Sequence, residues 1–429
     1  MPRQKVHSSA QTSASADQAW AVVRDFCGAW HPAIETMGPE PMDDGGLIRR
    51  FTVKGEDTVY RERLTFFSDS DRTMAYTHVA GIAGVQSYDA RLTVTPAPAG
   101  ATVTMSAEIS APSSRIDGIA SGTQAIFDDG TQTIAAKAVS ADPIKPPIAP
   151  AVSADFEQTQ IDTLPRLTLT TGGKESDTLC LFLHGIGGNR SNWQAQLAAV
   201  SPHYRVAAMD LRGYGDSTLG AEQSTVDDYC ADILRVMDVL NANKLVLCGL
   251  SYGAWIATSF AMRYPDKLAA LVLSGGCTGM SEAGADERDA FRLSREVPMT
   301  EGQTPADFAP SVVEVISGPE ATDASRKALL ASMAAIPTQT YADALRCFTN
   351  PLEKFDFSRL TLPVLLMTGA HDRLAPPTEI KAVAERIWDA SPIPDVRFEV
   401  IEDAGHVCNL EKPDQYNAIL SEFLSRVLP

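Results

Sequence analysis

The pentapeptide Gly249-Leu250-Ser251-Tyr252-Gly253 has the residue types of a nucleophilic centre. It follows the apolar run 245–248 and precedes a helical pattern, so the serine would sit at a sharp strand-to-helix corner, a nucleophile elbow. Residues two before and two after such a corner approach closely, and glycine at 249 and 253 leaves free the space a Cβ would occupy. A serine held there lies at the positive end of the new helix, where a developing oxyanion is stabilised.

A serine hydroxyl is not ionised at neutral pH, so Ser251 needs a base, and the base needs an orienting acid. The chain has 7 histidines, and His406, in Asp403-Ala404-Gly405-His406, directly follows the apolar run 396–401. A loop at that strand's carboxyl end could carry it to Ser251, which makes it the predicted base. Asp372, in Gly369-Ala370-His371-Asp372, follows the run 363–367 in the same way and is the predicted acid. Asp403 lies too close to His406 in the chain to face it, and Asp210 is read as bracing its own turn. The run ending at Ser274 continues into Gly275-Gly276-Cys277 and supplies no acid. His371 is read as a structural neighbour of Asp372. Two N–H donors for a tetrahedral intermediate are expected from Tyr252, the residue after the nucleophile, and from Ile186 in His184-Gly185-Ile186-Gly187-Gly188. His184 is assigned to the structure of that loop.

These residues need a scaffold that brings several strand ends to one edge. Short apolar runs at 179–183, 204–209, 244–248, 268–273, 363–367 and 396–401 alternate with helical patterns. In 224–240, Val226, Tyr229, Ile233, Met237 and Leu240 recur at helical spacing, with Ser224 and Asp227 as the expected capping box. Continuous apolar strands separated by helices predict a mostly parallel sheet covered on both faces. The stretch 279–357 interrupts the rhythm with helical patterns alone and reads as a cap over the sheet's carboxyl edge. Residues 141–154 hold four prolines without strand or helix period and read as a linker between domains 1–140 and 155–429.

Upstream of the linker the period changes. Val103, Met105, Ala107 and Ile109 alternate with Thr102, Thr104, Ser106 and Glu108, the pattern of an antiparallel sheet with one wet face. A short helix at 16–27 and a long one at 114–139 complete a curved sheet that grips a helix. Glu62 falls on one strand face with Tyr60, Leu64 and Phe66, which would aim it into a cavity; a pairing with a neighbouring arginine is the favoured reading. Tyr76 and His78 alternate on another strand and could line the same space.

With 429 residues, 44% of them apolar, the chain can build two cores. A net charge of -18 disfavours nucleic acid and anionic membrane as partners and leaves a small, partly apolar molecule as the expected one. Seven cysteines without metal-ligand spacing read as reduced core residues, and no apolar core of a secretory signal marks the first twenty positions. A cytoplasmic enzyme is expected; composition says nothing of its oligomeric state.

His184-Gly185, Asp210-Leu211-Arg212-Gly213-Tyr214-Gly215-Asp216-Ser217, the elbow, Asp372 and His406 occur in the order found in the α/β-hydrolase fold, which residues 155–429 resemble. The resemblance implies acylation of Ser251 followed by hydrolysis, without metal or organic cofactor. It is strongest to small esterases, enol-lactonases and carbon–carbon bond hydrolases with a helical cap. Haloalkane dehalogenases and epoxide hydrolases of this fold carry aspartate at the elbow, where this chain has serine.

The first domain resembles the START-like, polyketide-cyclase superfamily with a helix-grip fold. Ala16-Asp17-Gln18-Ala19-Trp20, Trp30-His31-Pro32 and Tyr60-Arg61-Glu62-Arg63-Leu64 carry that likeness. It implies a cavity for an apolar small molecule. The whole chain is thus expected to be an α/β protein: a capped serine hydrolase for a small ester or lactone, preceded by an α+β ligand-binding domain. Cleavage of a carbon–carbon bond, a fused cyclase and hydrolase, or an inactive ligand sensor are the alternatives.

Overall fold

The computed structural model describes residues 1–42, 44–143, 155–350 and 353–428. The chain divides into two compact units. The proposed linker, from residue 144 on, lies outside the described residues.

The first unit begins with β1 (Arg3–Thr12) and α1 (Ala16–Val23). Five strands precede the next: β2 (Ile34–Pro41), β3 (Leu47–Val53), β4 (Val59–Ser68), β5 (Thr73–Ala80) and β6 (Ser87–Ala97). They are followed by β7 (Gly100–Ser110) and α2 (Ile116–Ala138). The sheet is antiparallel in the order β1-β7-β6-β5-β4-β3-β2. Alternation on β6 and β7 sets the register: Leu92 faces Met105 and Val94 faces Val103, all buried. Helix α2 packs on β1 and β7 and buries Phe127, Ile134 and Ala138. Helix α1 starts at a capping box, Ser15 with Gln18, and ends four residues earlier than the sequence pattern suggests. Strand β1 escapes prediction because six of its ten residues are charged or hydroxylated or histidine, leaving few apolar positions to reveal a period.

A bulge between Leu64 and Phe66 corrects one expectation on β4. The extra residue reverses the side-chain alternation, so Leu64 and Phe67 enter the core while Phe66 lies near Arg91 instead. Tyr60 and Glu62, before the bulge, still border the internal cavity.

The second unit opens with two strands not anticipated, β8 (Glu157–Ile161) and β9 (Leu167–Gly173). Then come β10 (Thr178–Leu183), α3 (Gln194–Val200), β11 (Arg205–Asp210), α4 (Val226–Val239), β12 (Lys244–Leu250), α5 (Tyr252–Arg263) and β13 (Leu268–Ser274). Four cap helices follow, α6 (Ala285–Thr300), α7 (Pro305–Ile316), α8 (Asp323–Ala334) and α9 (Thr338–Thr349). The chain closes with β14 (Val364–Gly369), α10 (Pro377–Ala390), β15 (Val396–Ile401), α11 (Cys408–Glu411) and α12 (Pro413–Val427). Its strand order is β8-β9-β11-β10-β12-β13-β14. Parallel pairing from β11 through β14 places the carboxyl ends of these strands along one edge. Strands β10 and β12 are buried through nearly their whole length, as expected of strands covered on both faces.

The capping box of α4 is Thr225 with Asp228, one residue beyond the predicted pair. Ser224 instead donates its backbone N–H to Asp343 of α9, at 2.9 Å. No helix among the described residues is long and apolar enough to cross a membrane.

Candidate active site

Ser251 occupies the corner between β12 and α5 with φ 53° and ψ -113°, a conformation that L-residues rarely hold. Its N–H donates to the Ser274 carbonyl on β13 at 2.8 Å, and its carbonyl accepts from the Trp255 N–H at 3.0 Å. The corner is therefore pinned on both sides. A Cβ on Gly249 would collide with the Gly253 backbone, and one on Gly253 with the Leu183 carbonyl of β10. Because backbone cannot yield as a side-chain tip can, Gly253→Ala should lower stability by about 3 kcal/mol. A thermal melt within one degree of wild type would contradict this close approach.

Asp372 and His406 come from the loops after β14 and β15. These loops are joined by backbone bonds from Ala370 N–H to Ile401 O and from His371 N–H to Ala404 O, each 2.9 Å. His406 Nδ1 lies 2.9 Å from Asp372 Oδ2 and 3.0 Å from Oδ1. Asp372 also accepts from the N–H groups of Leu374, at 2.8 Å, and Ala375, at 2.9 Å. Burial opposes its charge, but His406 and these two N–H donors outweigh burial and hold the carboxyl below the ordinary aspartate range. A charged Asp372 requires the proton on His406 Nδ1, which leaves Nε2 as the basic nitrogen. His406 and Ser251 line the same cavity.

The Gly185–Ile186 peptide is oriented from its carbonyl side. Gly185 O accepts from His184 Nδ1 at 2.8 Å and from the Gly188 N–H at 3.0 Å. In a planar trans peptide the N–H points opposite to the carbonyl, so the Ile186 N–H is turned away from these donors. The Tyr214 hydroxyl fixes the next peptide by donating to Ile186 O at 3.0 Å. Tyr252 contributes the first N–H of α5, a group without an intrahelical acceptor. Ile186 and Tyr252 both border the cavity that holds Ser251.

His184 uses both ring nitrogens, since Nε2 accepts from the Leu211 N–H at 3.1 Å. Burial lowers its pKa, so it stays a neutral strut. Asp210 accepts from the backbone N–H of Arg190, at 2.8 Å, and of Asp216, at 3.0 Å, and pairs with the Arg190 guanidinium. It braces its own turn. The His371 side chain is exposed. Cys277, beside the cavity, is buried, and burial pushes its thiol up to about 12, so it offers no competing thiolate. All seven cysteines are free; Cys27 is partly exposed and the other six are buried.

Glu411 is a residue that sequence reasoning missed. Its carboxylate accepts from Gly318 N–H at 2.7 Å and Gly405 N–H at 3.2 Å, tying the turn after α7 in the cap to the His406 loop. The His406 N–H donates to Ile316 O at the end of α7, at 2.8 Å. Neither link has a local signal, because Glu411 meets Gly318 across 93 positions. The cavity measures about 340 Å³, and the cap supplies Phe291, Met333, Tyr341 and Phe348 to its wall, with Glu287 and Arg295 as charged members.

A separate cavity of about 390 Å³ lies inside the first unit. Glu62 and Tyr76 line it, and Glu62 is paired with Arg49, so both readings of Glu62 apply at once. His78 stands apart, partly buried and edge-on to Tyr88.

Residues 179–413 match the family described as alpha/beta hydrolase fold, and residues 3–139 match polyketide cyclase / dehydrase and lipid transport. Two 3-oxoadipate enol-lactonases of Acinetobacter baylyi are each 26% identical over 61% of this chain, covering 94% and 93% of their own lengths. A thermophilic esterase from Thermogutta terrifontis is 26% identical with a TM-score of 0.56, over 64% of this chain and 100% of its own. An enol-lactonase from Burkholderia xenovorans shares the fold, with a TM-score of 0.51 at 20% identity over 61% of this chain and 96% of its own.

Proposed function

Because the chain belongs to the alpha/beta hydrolase fold family and is a hydrolase, we propose that it cleaves a small, partly apolar ester or lactone through an acyl group on Ser251. The observation that carries this reading is the shared cavity of Ser251 and the Asp372-bound His406, bordered by the oriented Ile186 and Tyr252 peptides. His406 Nε2 takes the Ser251 proton as Oγ attacks the carbonyl carbon. The oxyanion receives the N–H groups of Ile186 and Tyr252. Collapse expels the alcohol, protonated by His406, and water enters by the same steps in reverse order. With a lactone the alcohol stays tethered to the acyl group, and the ring opens.

The apolar cap residues favour a compact hydrocarbon body over an extended polar chain. Similarity to enol-lactonases and an esterase supports an oxygen leaving group. A fluorophosphonate probe tests the nucleophile directly. Mass spectrometry should find the adduct on the peptide that contains Ser251, with parallel loss of activity on a chromogenic short-chain ester. An unlabelled, folded protein that still cleaves the ester would sink the assignment.

A further inference from the structure

The loops that carry Asp372 and His406 meet the cap at one backbone junction. Three glycines mark it: Gly318 in the turn after α7, Gly369 at the end of β14 and Gly405 beside His406. A Cβ on Gly369 would strike the carbonyls of Ala404 and Gly405, and one on Gly405 the Ile316 carbonyl and the Gly318 nitrogen. One on Gly318 would stand 2.6 Å from the Gly405 nitrogen. Backbone therefore packs on backbone, and a small shift of the cap turn is felt by the base loop at once.

Glu411, only 5% exposed, closes this junction from the short helix α11. Its Oε2 accepts from the Gly318 N–H at 2.7 Å, and both of its oxygens lie 3.2 Å from the Gly405 nitrogen. The next N–H, that of His406, goes to Ile316 O in the cap at 2.8 Å. Two successive N–H groups of the base loop are thus committed before the imidazole makes any bond of its own. Burial pushes the Glu411 carboxyl up although the Gly318, Gly405 and Val407 N–H groups oppose it. A carboxylate enclosed in this way is costly, and a neutral side chain would fill the space more cheaply. What the carboxylate alone supplies is two acceptor oxygens for donors that come from separate segments.

We propose that Glu411 is a positioning residue for His406: it holds Gly318 and Gly405 together, makes the cap turn and the base loop one piece, and so sets where the imidazole stands toward Ser251. The inference deepens the reading of His406 as the base and rests on it. Glutamine at 411 would keep the volume but offer one acceptor oxygen, and its amide donor would face an N–H, so one of the two links is lost. A displaced general base loses rate steeply with distance, whereas the substrate's own contacts with the cavity wall stay in place.

Two measurements on full-length Glu411→Gln test this. Turnover of a chromogenic short-chain ester should show kcat at least tenfold lower with KM within twofold of wild type. Solvent exchange of the His406 Nδ1 proton, followed by NMR and assigned by its loss in His406→Asn, should be at least tenfold faster. A role confined to stability would lower the melting temperature and move neither quantity in the folded protein. Unchanged proton exchange, or kcat within twofold of wild type, would overturn the proposal. A wild type inactive on every ester would count against the hydrolase reading instead, and the exchange rate still decides the role of Glu411. If Glu411→Gln does not fold, Gly318→Ala serves: it presses a methyl group on the same junction from the cap side and leaves Glu411 in place. It should speed the exchange at least fivefold, and an unchanged rate would overturn the proposal.

Discussion

Ser251→Ala is expected to lower turnover of a chromogenic ester by about 10⁴-fold or more while leaving substrate binding nearly intact. The expectation rests on the position of the hydroxyl, which combines a strained backbone, a cavity shared with His406 and a helix N-terminus. Alanine keeps the backbone bonds to Ser274 and Trp255, so the cavity and the two N–H donors persist. A residual rate over water is therefore expected from the oriented peptides alone. Equal rates in variant and wild type would remove Ser251 from the chemistry, whatever the fold.

Asp372→Asn should cost nearly as much, about 10⁴-fold in turnover at neutral pH, for a different reason. The variant side chain has almost the same volume and can keep the Leu374 and Ala375 bonds. What it loses is the charge that holds the proton on His406 Nδ1. With an amide donor facing it, the ring can present the wrong nitrogen to Ser251. A second consequence concerns acid stability. Asp372 has its pKa depressed in the folded protein, so its contribution is complete above the unfolded value of about 4 and is lost as pH falls through the lower folded value. The asparagine variant lacks that dependence, and its unfolding free energy should vary less with pH in this acid range. Turnover within tenfold of wild type, together with an unchanged acid limb, would show that Asp372 does not orient His406.

The parallel core and the identity of the candidate residues could be read from local pattern. Leu179 to Leu183 and Leu245 to Cys248 are uninterrupted apolar runs, and such runs have one stable environment, the middle of a covered sheet. Strand ends then limit where Ser251, Asp372 and His406 can stand. The strands at the margin carry no such mark. Gln158, Thr159 and Gln160 of β8 belong equally well to a loop, and only pairing with β9 makes them a strand. The Leu64/Phe66 bulge is likewise invisible, because it arises from how β4 meets β5 and leaves composition unchanged. The partner of Glu62 was legible as a type, an arginine. Its identity as Arg49 required the register of β3 on β4.

The backbone at Ser251 carries a further implication for the limits of this protein's durability. Glycine is at ease at φ 53° and ψ -113°, whereas serine holds that geometry at a cost of about 1–3 kcal/mol. On the proposed mechanism, relaxing the corner by Ser251→Gly would give a sturdier molecule and an inert one. Heat tolerance and reactivity thus pull on one residue in opposite directions. On that same reading, a search for hardier variants that screens only for survival on heating is expected to drift toward glycine at 251.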